Sequence, residues 1–522
     1  MGIKDDFNNI DNVMSHKRRR VDSDGKHINF LYHQKEGWVQ NISRRSGKGS
    51  QDFFATLTDE IALHVLSYLS EWDLCKFQLV SQWCNRLCND SQVWRLKYLQ
   101  RFVFLDRVAF NMHTKTPNSK SMPPPHSNWK RMYQIRHNWS IGKCRVIRQT
   151  ESQNKPSKSE MIKYPLAQYY GHTIILVDLE HGIRVWKCIK LHGKELPSPD
   201  FILPLPIDEF GSPVCLTVDS SRNKSSGVIP FLIAFDSGNI STYNINWKET
   251  QVISSLHTYA ISGAPIVMAY CHPFLATLSC TNCFEAFKIS DSAKLTKRAI
   301  LRSSTVNLPC TLNIREVGNK DSGSVLVSIV HTVSLFTSGL SIGIQEIDIG
   351  DTPHIPTRVY TCIPLSRGDT SFARSQHVGP TSLTPPTFIS YNHPYLLTSH
   401  QDNSLTLYLV KSTRDVLKIG QPRRLWGHTS GVVRAQVASR GKAISVSLWG
   451  NEIRVWELEG VAAGKSIILP GLVESVKVQG RNGEDSGNTN EMDGNAKPVG
   501  YVGMDDEKVC VIRDYITLYD FT

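Results

Sequence analysis

Two hydrophobic rhythms divide the chain. Between Leu57 and Gln100 the apolar positions fall three and four apart: Ile61, Val65, Leu66 and Leu69, then Leu74, Phe77 and Val80, then Val93, Leu96 and Leu99. That spacing predicts consecutive short amphipathic helices. Thr58, Ser70, Ser81 and Ser91 precede the runs as candidate N-caps, since a hydroxyl there can accept from an unpaired first-turn N–H. A helical segment of roughly 45 residues buries too little apolar surface to be comfortable alone, so it is expected to dock on a neighbour or a partner. From about residue 143 onward the period drops to two, the mark of half-buried strands.

The strand pattern repeats. "YNHPYLLTSHQDNSLTLY" (391–408) aligns without gaps on "YCHPFLATLSCTNCFEAF" (270–287) and on "YYGHTIILVDLEHGIRVW" (169–186), placing Trp186 opposite Phe287 and Tyr408. Looser copies end at Tyr243, Phe336, Trp456 and Tyr519, and the tetrapeptide IRVW occurs at both 183–186 and 453–456. Each copy reads as strand, short polar turn, strand and closing aromatic. A hairpin of this kind cannot bury its face alone. Seven copies with variable spacing predict an all-β, seven-bladed propeller of four-stranded blades. The chain ends just after "ITLYDFT", so the last blade lacks an outer strand, and "KCRVIRQT" (143–150) is the expected donor. The stretches 351–387 and 478–500 read as loop insertions.

Composition narrows the function classes. Hydrophobic residues make up 40% of 522 residues, and no apolar run is long enough to span a bilayer. No membrane partner is expected. Twelve cysteines without paired spacing suggest reduced thiols, hence cytoplasm or nucleus. The formal charge of +12 favours acidic partners. Lys17, Arg18, Arg19 and Arg20 form a basic block in the tail 1–52, either a nuclear localisation signal or a solvated charge run.

Candidate chemistry is sparse. Cys271, His272, Cys280 and Cys283 invite a zinc reading, but their counterparts in the 391–408 copy are Asn392, His393, Gln401 and Ser404. A lone C-x-x-C is weak, so no metal and no cofactor is expected. No P-loop, dinucleotide glycine pattern, GxSxG or HExxH occurs, and the expectation is a non-enzyme. The span 108–150 holds eight Lys or Arg without an Asp or Glu. It could track nucleic-acid phosphates; a solvated linker and helix face is the preferred reading. Arg184 and Arg454 share one repeat position. They could clamp a phosphate together, or bond within their own blades.

The helical segment resembles the F-box: Leu57, Glu60, Ile61, Leu66-Ser67-Tyr68-Leu69, Asp73-Leu74, Leu79-Val80-Ser81, Arg86-Leu87, Asp90 and Val93-Trp94-Arg95 stand at that family's positions. Thr58 stands where the family usually has Pro, and Cys84 where it usually has an aromatic. The repeats resemble WD repeats, with Gly427-His428 opening the best copy and Trp456 closing it. Of that family's hydrogen-bonded set, Asp402 keeps the Asp position and Glu180 keeps its charge, whereas Gly450, Thr281 and Val330 do not. "NWKRMYQIRHNWSIGKCR" (128–145) puts Trp129, Met132 or Tyr133, Arg136 and Trp139 on one helical stripe and is similar to the spacer of F-box/WD-repeat proteins.

These resemblances imply a multidomain chain: basic tail 1–52, all-α F-box 53–100, linker and spacer helix 101–142, and WD-repeat-like propeller 143–522. They imply binding to a Skp-type adaptor, and through it a cullin-RING ligase, with Leu57, Thr58, Ile61, Leu66, Leu69, Leu79, Val80 and Trp94 at the contact; the alternative is that several pack the domain's own core, and both roles can hold at once. The implied role is substrate recognition in an SCF-type ubiquitin ligase, for a protein substrate in which phosphorylation is one option. The family's exposed pre-turn position maps to Leu179, Cys280, Gln401 and Trp449, and Arg184 and Arg454 join these as substrate-binding candidates. The alternatives are an F-box scaffold without ubiquitin transfer and a nucleic-acid-binding propeller, the last least favoured.

Overall fold

Short capped helices lead into rings of hairpins, as the two rhythms require. The computed structural model describes residues 57–102, 128–149 and 166–522, the last apart from 189–192, 194, 221–227, 247–250, 291–293, 303–305, 317–323, 336–338, 351–356, 362–384, 414–415, 439–440, 449–451, 460–463, 471–499 and 514. The basic block Lys17 to Arg20, Trp449, and most of the two expected insertions lie outside the described residues.

Helices α1 (Asp59–Leu66), α2 (Glu71–Phe77), α3 (Gln82–Cys88) and α4 (Ser91–Phe102) form the front segment. The Ser70 and Ser81 hydroxyls accept from the N–H groups of Asp73 and Cys84, each at 3.1 Å, closing the first turns of α2 and α3. At α4 the expectation of Ser91 is corrected. Ser91 is the first helical residue, and the Asp90 carboxylate takes the Gln92 N–H at 2.7 Å. Ala62, Leu66, Leu74, Leu87, Val93, Trp94 and Tyr98 close the core. Helix α5 (Trp129–Ile141) starts on the Asn128 side chain and ends at Gly142, whose φ of 71° stops it. A Cβ on Gly142 would lie 2.6 Å from Ile467 Cγ2, so the helix end abuts the propeller there.

Seven antiparallel sheets follow. Their inner strands, Leu166–Tyr170, Pro213–Val218, Pro265–Cys271, Asn307–Glu316, Phe388–Asn392, Val432–Val437 and Tyr501–Met504, lie side by side in a ring, with the last against the first. The Tyr169 N–H donates to the Tyr501 hydroxyl across that junction, at 2.7 Å. The gapless repeat is visible as register. Ile174 pairs with both Tyr169 and Trp186, Leu275 with Tyr270 and Phe287, and Leu396 with Tyr391 and Tyr408.

One copy was misdivided by its sequence. "VLVSIVHTVSLF" was expected to contain a hairpin closing on Phe336, but Val325–Leu335 is a single strand and its partner begins only at Gly339. The His331-Thr332 pair that resembles a turn is buried in mid-strand, and the Thr332 hydroxyl donates to the carbonyls of Asn307 and Leu308. No aromatic stands in the third strand, Gly339–Ile349. Elsewhere Trp186, Tyr243, Phe287, Tyr408, Trp456 and Tyr519 do lie on third strands.

The ring closes through the front of the chain. Arg145–Gln149 pairs antiparallel with Ile516–Asp520, supplying the last blade's outer strand, and Glu195–Leu196 adds to it in parallel. Arg145 and Asp520 form an ion pair at 2.8 Å. Ile147 enters the same buried cluster as Trp186 and Leu518.

Candidate functional site

The F-box residues sort into two groups by burial. Leu66 and Trp94 are 1% and 3% exposed, and the Trp94 indole donates to the Cys88 carbonyl at 2.6 Å. For these two the core-packing role is the one seen: they hold the helices together from inside. Ile61, Leu79 and Val80 are exposed, Val80 at 69%, while Leu69 and Leu57 are half-buried and Thr58 is exposed. Val65 and Tyr68, which were not selected from sequence, are exposed too, Tyr68 at 78%. The signal was available: 61, 65 and 68 fall at helical spacing in the sequence, although α1 itself ends at Leu66. A short segment thus leaves five large apolar side chains exposed, Ile61, Val65, Tyr68, Leu79 and Val80.

Behind this surface, α5 ties the front helices to the propeller. The Tyr133 hydroxyl donates to the Glu71 carboxylate at 2.8 Å and accepts from Arg101 at 2.6 Å. Arg136, nearly sealed from water, reaches Tyr98 on one side and Glu457 and Glu459 on the other, the carboxylates at 2.9 and 3.3 Å. Asn138 donates to the Phe521 carbonyl, and the Trp139 indole donates to Asp506 while its ring stacks on Phe521 at 4.0 Å. The front helices therefore meet the propeller through a buried polar network, not a free linker.

These contacts define one end of the propeller. Asp506 and Glu507 connect first and second strands, and Glu459 follows a third strand. Turns between second and third strands lie at the opposite end of an antiparallel blade, and there Leu179, Cys280 and Gln401 are all exposed. The structure thus brings three of the four pre-turn candidates to the end away from α5.

The arginine candidates do not present free charge. Arg184 is bonded to the Asp178 carboxylate. Arg454 donates to Glu452 at 2.6 Å and to Ser466 at 2.9 Å. Of the two readings, bonding within the blade is the one seen: each guanidinium is ion-paired and mostly buried. Four described cations of the basic span behave alike. Lys130 donates to Gln78 and Asn89, Arg131 pairs with Glu507, and Arg136 and Arg145 pair as described.

The sixth blade retains most of a WD-type set. The Ser445 hydroxyl is shared by His428 Nε2 at 2.5 Å and the Trp456 indole at 2.7 Å. With glycine at 450, Glu452 stands in for the missing acid, its carboxylate 3.3 Å from His428 Nδ1 and bonded to Thr429. Burial pushes the His428 imidazole down to about 4, against the pull of Glu452.

Comparison with known proteins fits this geometry. Residues 55–100 match the F-box-like family model, and residues 148–522 match the model described as F-box protein pof12 beta-propeller. A curated relative, F-box protein pof12 of Schizosaccharomyces pombe, is 23% identical over 89% of this chain and 92% of its own length. F-box/WD repeat-containing protein 7 of Drosophila melanogaster is 27% identical over 27% of this chain and 10% of its own length. Among solved structures, the Cps50 (Swd1) beta-propeller domain of Myceliophteria thermophila aligns with a TM-score of 0.40 at 10% identity, covering 70% of this chain and 98% of that one. With most of its length matched by one family model and an F-box-like segment in front, this chain belongs to the F-box protein pof12 beta-propeller family.

Proposed function

We propose that the protein is a substrate-recognition subunit of an SCF-type ubiquitin ligase. The F-box engages a Skp-type adaptor, and through it a cullin, while the propeller end away from α5 receives the protein to be modified. The observation that carries this reading is the exposed set Ile61, Val65, Tyr68, Leu79 and Val80 on a segment whose core is otherwise closed. The contact assignment accordingly moves from the full set of eight to its exposed members. Leu66 and Trp94 act indirectly, by keeping α1 and α4 in place.

The chain's contribution is proximity. Holding a substrate lysine near a loaded conjugating enzyme raises its effective concentration, and the bond-making thioester belongs to other proteins. The pairing of Arg184 with Asp178 and of Arg454 with Glu452 argues against a two-arginine phosphate clamp. Lys130, Arg131, Arg136 and Arg145, four of the eight cations of the basic span, make internal bonds, which favours the protein-substrate reading over a nucleic-acid role.

The test compares cells carrying the wild type with cells carrying an Ile61→Asp, Val80→Asp form. Proteins captured by the propeller should lose ubiquitin and accumulate on the double variant. If adaptor and cullin no longer co-purify yet no protein's ubiquitination changes, the scaffold reading replaces this one.

A further inference from the structure

Besides joining the front helices to the propeller, the spacer helix α5 grips α2 at both ends. At the start of α2, the Tyr133 hydroxyl donates to the Glu71 carboxylate at 2.8 Å and accepts from Arg101 of α4 at 2.6 Å. At the other end, the Lys130 ammonium donates to the side-chain carbonyls of Gln78 and Asn89, both at 2.7 Å. Gln78 is the C-cap of α2 and Asn89 that of α3. Tyr133 and Gln78 are buried, and the Lys130 charge lies 5.6 Å from the Trp94 ring centre. Charge-assisted bonds sheltered from water in this way are the strong ones.

The connector that these bonds flank carries exposed apolar side chains. Leu79 and Val80 follow Gln78 directly, and Ser81 opens α3. The N–H groups of Leu79 and Val80 donate to the carbonyls of Lys76 and Phe77 at 3.0 and 3.1 Å, so the connector continues the end of α2. Their side chains are nevertheless 51% and 69% exposed. So short a connector moves with the helices at its two ends, and Lys130 fixes one cap of each. Helix α1, which carries Ile61 and Val65, is instead tied to α3 by the exposed ion pair of Asp59 and Arg86 at 2.8 Å.

Given the adaptor role proposed above, we infer that Lys130 and Tyr133, which lie outside the F-box match at 55–100, are positioning residues for adaptor binding. They act through α2. By holding both of its ends they keep Leu79 and Val80 in the arrangement the adaptor meets, and this ordering is completed before binding rather than during it. The affinity of the F-box is thus set in part from the spacer helix, and the α1 side of the surface is independent of it.

Calorimetric titration of the purified Skp-type adaptor into the full chain and its variants tests this. Lys130→Met keeps the stem and loses the donors, and should weaken binding about tenfold, the scale expected when two contact side chains must be ordered on binding. Lys130→Arg, which keeps charge and donors, should restore most of the loss. Tyr133→Phe removes one hydroxyl, keeps the ring, and should weaken binding in the same direction. Combined with Val80→Ala, Lys130→Met should cost less than the product of the two single losses, because both act on one connector; combined with Ile61→Ala it should cost the full product. A general loosening of the fold would not separate Val80 from Ile61. Should Lys130→Met melt well below the wild type, Tyr133→Phe carries the same two cycles. Wild-type affinity in these variants, or equal coupling to Val80→Ala and Ile61→Ala, overturns the inference and leaves adaptor binding standing. A wild type that binds no adaptor overturns the proposed function, and this inference with it.

Discussion

Arg136 and Glu457 meet at 2.9 Å across the seam between the spacer helix and the sixth blade, with almost no water at either side chain. Their positions are 321 residues apart in sequence. Glu459 shares the same guanidinium, and Tyr98 of the F-box segment completes the site. One side chain thereby links adaptor-binding helices, spacer and propeller.

Removing Arg136 should therefore be costly. Arg136→Ala leaves two carboxylates in a water-poor seam, and breaking a buried pair this way typically destabilises by about 3–5 kcal/mol. Arg136→Ala with Glu457→Gln should recover part of that loss, because less charge is stranded. Urea unfolding of the single and double variants measures both effects.

The sixth blade should respond to acid. His428 titrates near 4 in the fold, against about 6.5 in an unfolded chain. Between those values the unfolded state binds the extra proton, so stability falls as pH drops from about 6.5 toward 4 and is fully present above that window. Melting temperatures across pH 4 to 7 should show a shallower decline in His428→Asn than in wild type.

The arginines in the blades should matter for folding rather than for ligand. Arg454→Ala strips Glu452 of a partner in a mostly buried site, and Arg184→Ala does the same to Asp178. Each should lower the melting temperature measurably. A binding titration with a phosphorylated substrate peptide, once a client is known, should show no loss specific to the pair.

Most of the architecture was legible because it is written in local period. Ser70 and Ser81 cap where a hydroxyl precedes a helical run, and Tyr391, Leu396 and Tyr408 keep the register their alignment implies. The closing strand at Arg145–Gln149 followed from a blade left one strand short. What failed depended on tertiary context. His331-Thr332 looks like a turn until a neighbouring strand's carbonyls take the hydroxyl. Leu66 and Val80 are both apolar F-box positions, and only packing tells the core residue from the exposed one. Nothing near Arg136 in sequence announces Glu457, and charge counting over 108–150 does not show that Arg131 and Arg136 are ion-paired with the propeller.

The most direct test of the central claim is a calorimetric titration of the purified Skp-type adaptor into the full chain and into Ile61→Asp, Val80→Asp. Both residues are exposed, so the variant should melt as the wild type does, while adaptor affinity falls by about a hundredfold or more, as expected when charges enter an apolar contact. A double variant that remains folded and binds the adaptor as tightly as wild type would contradict the account.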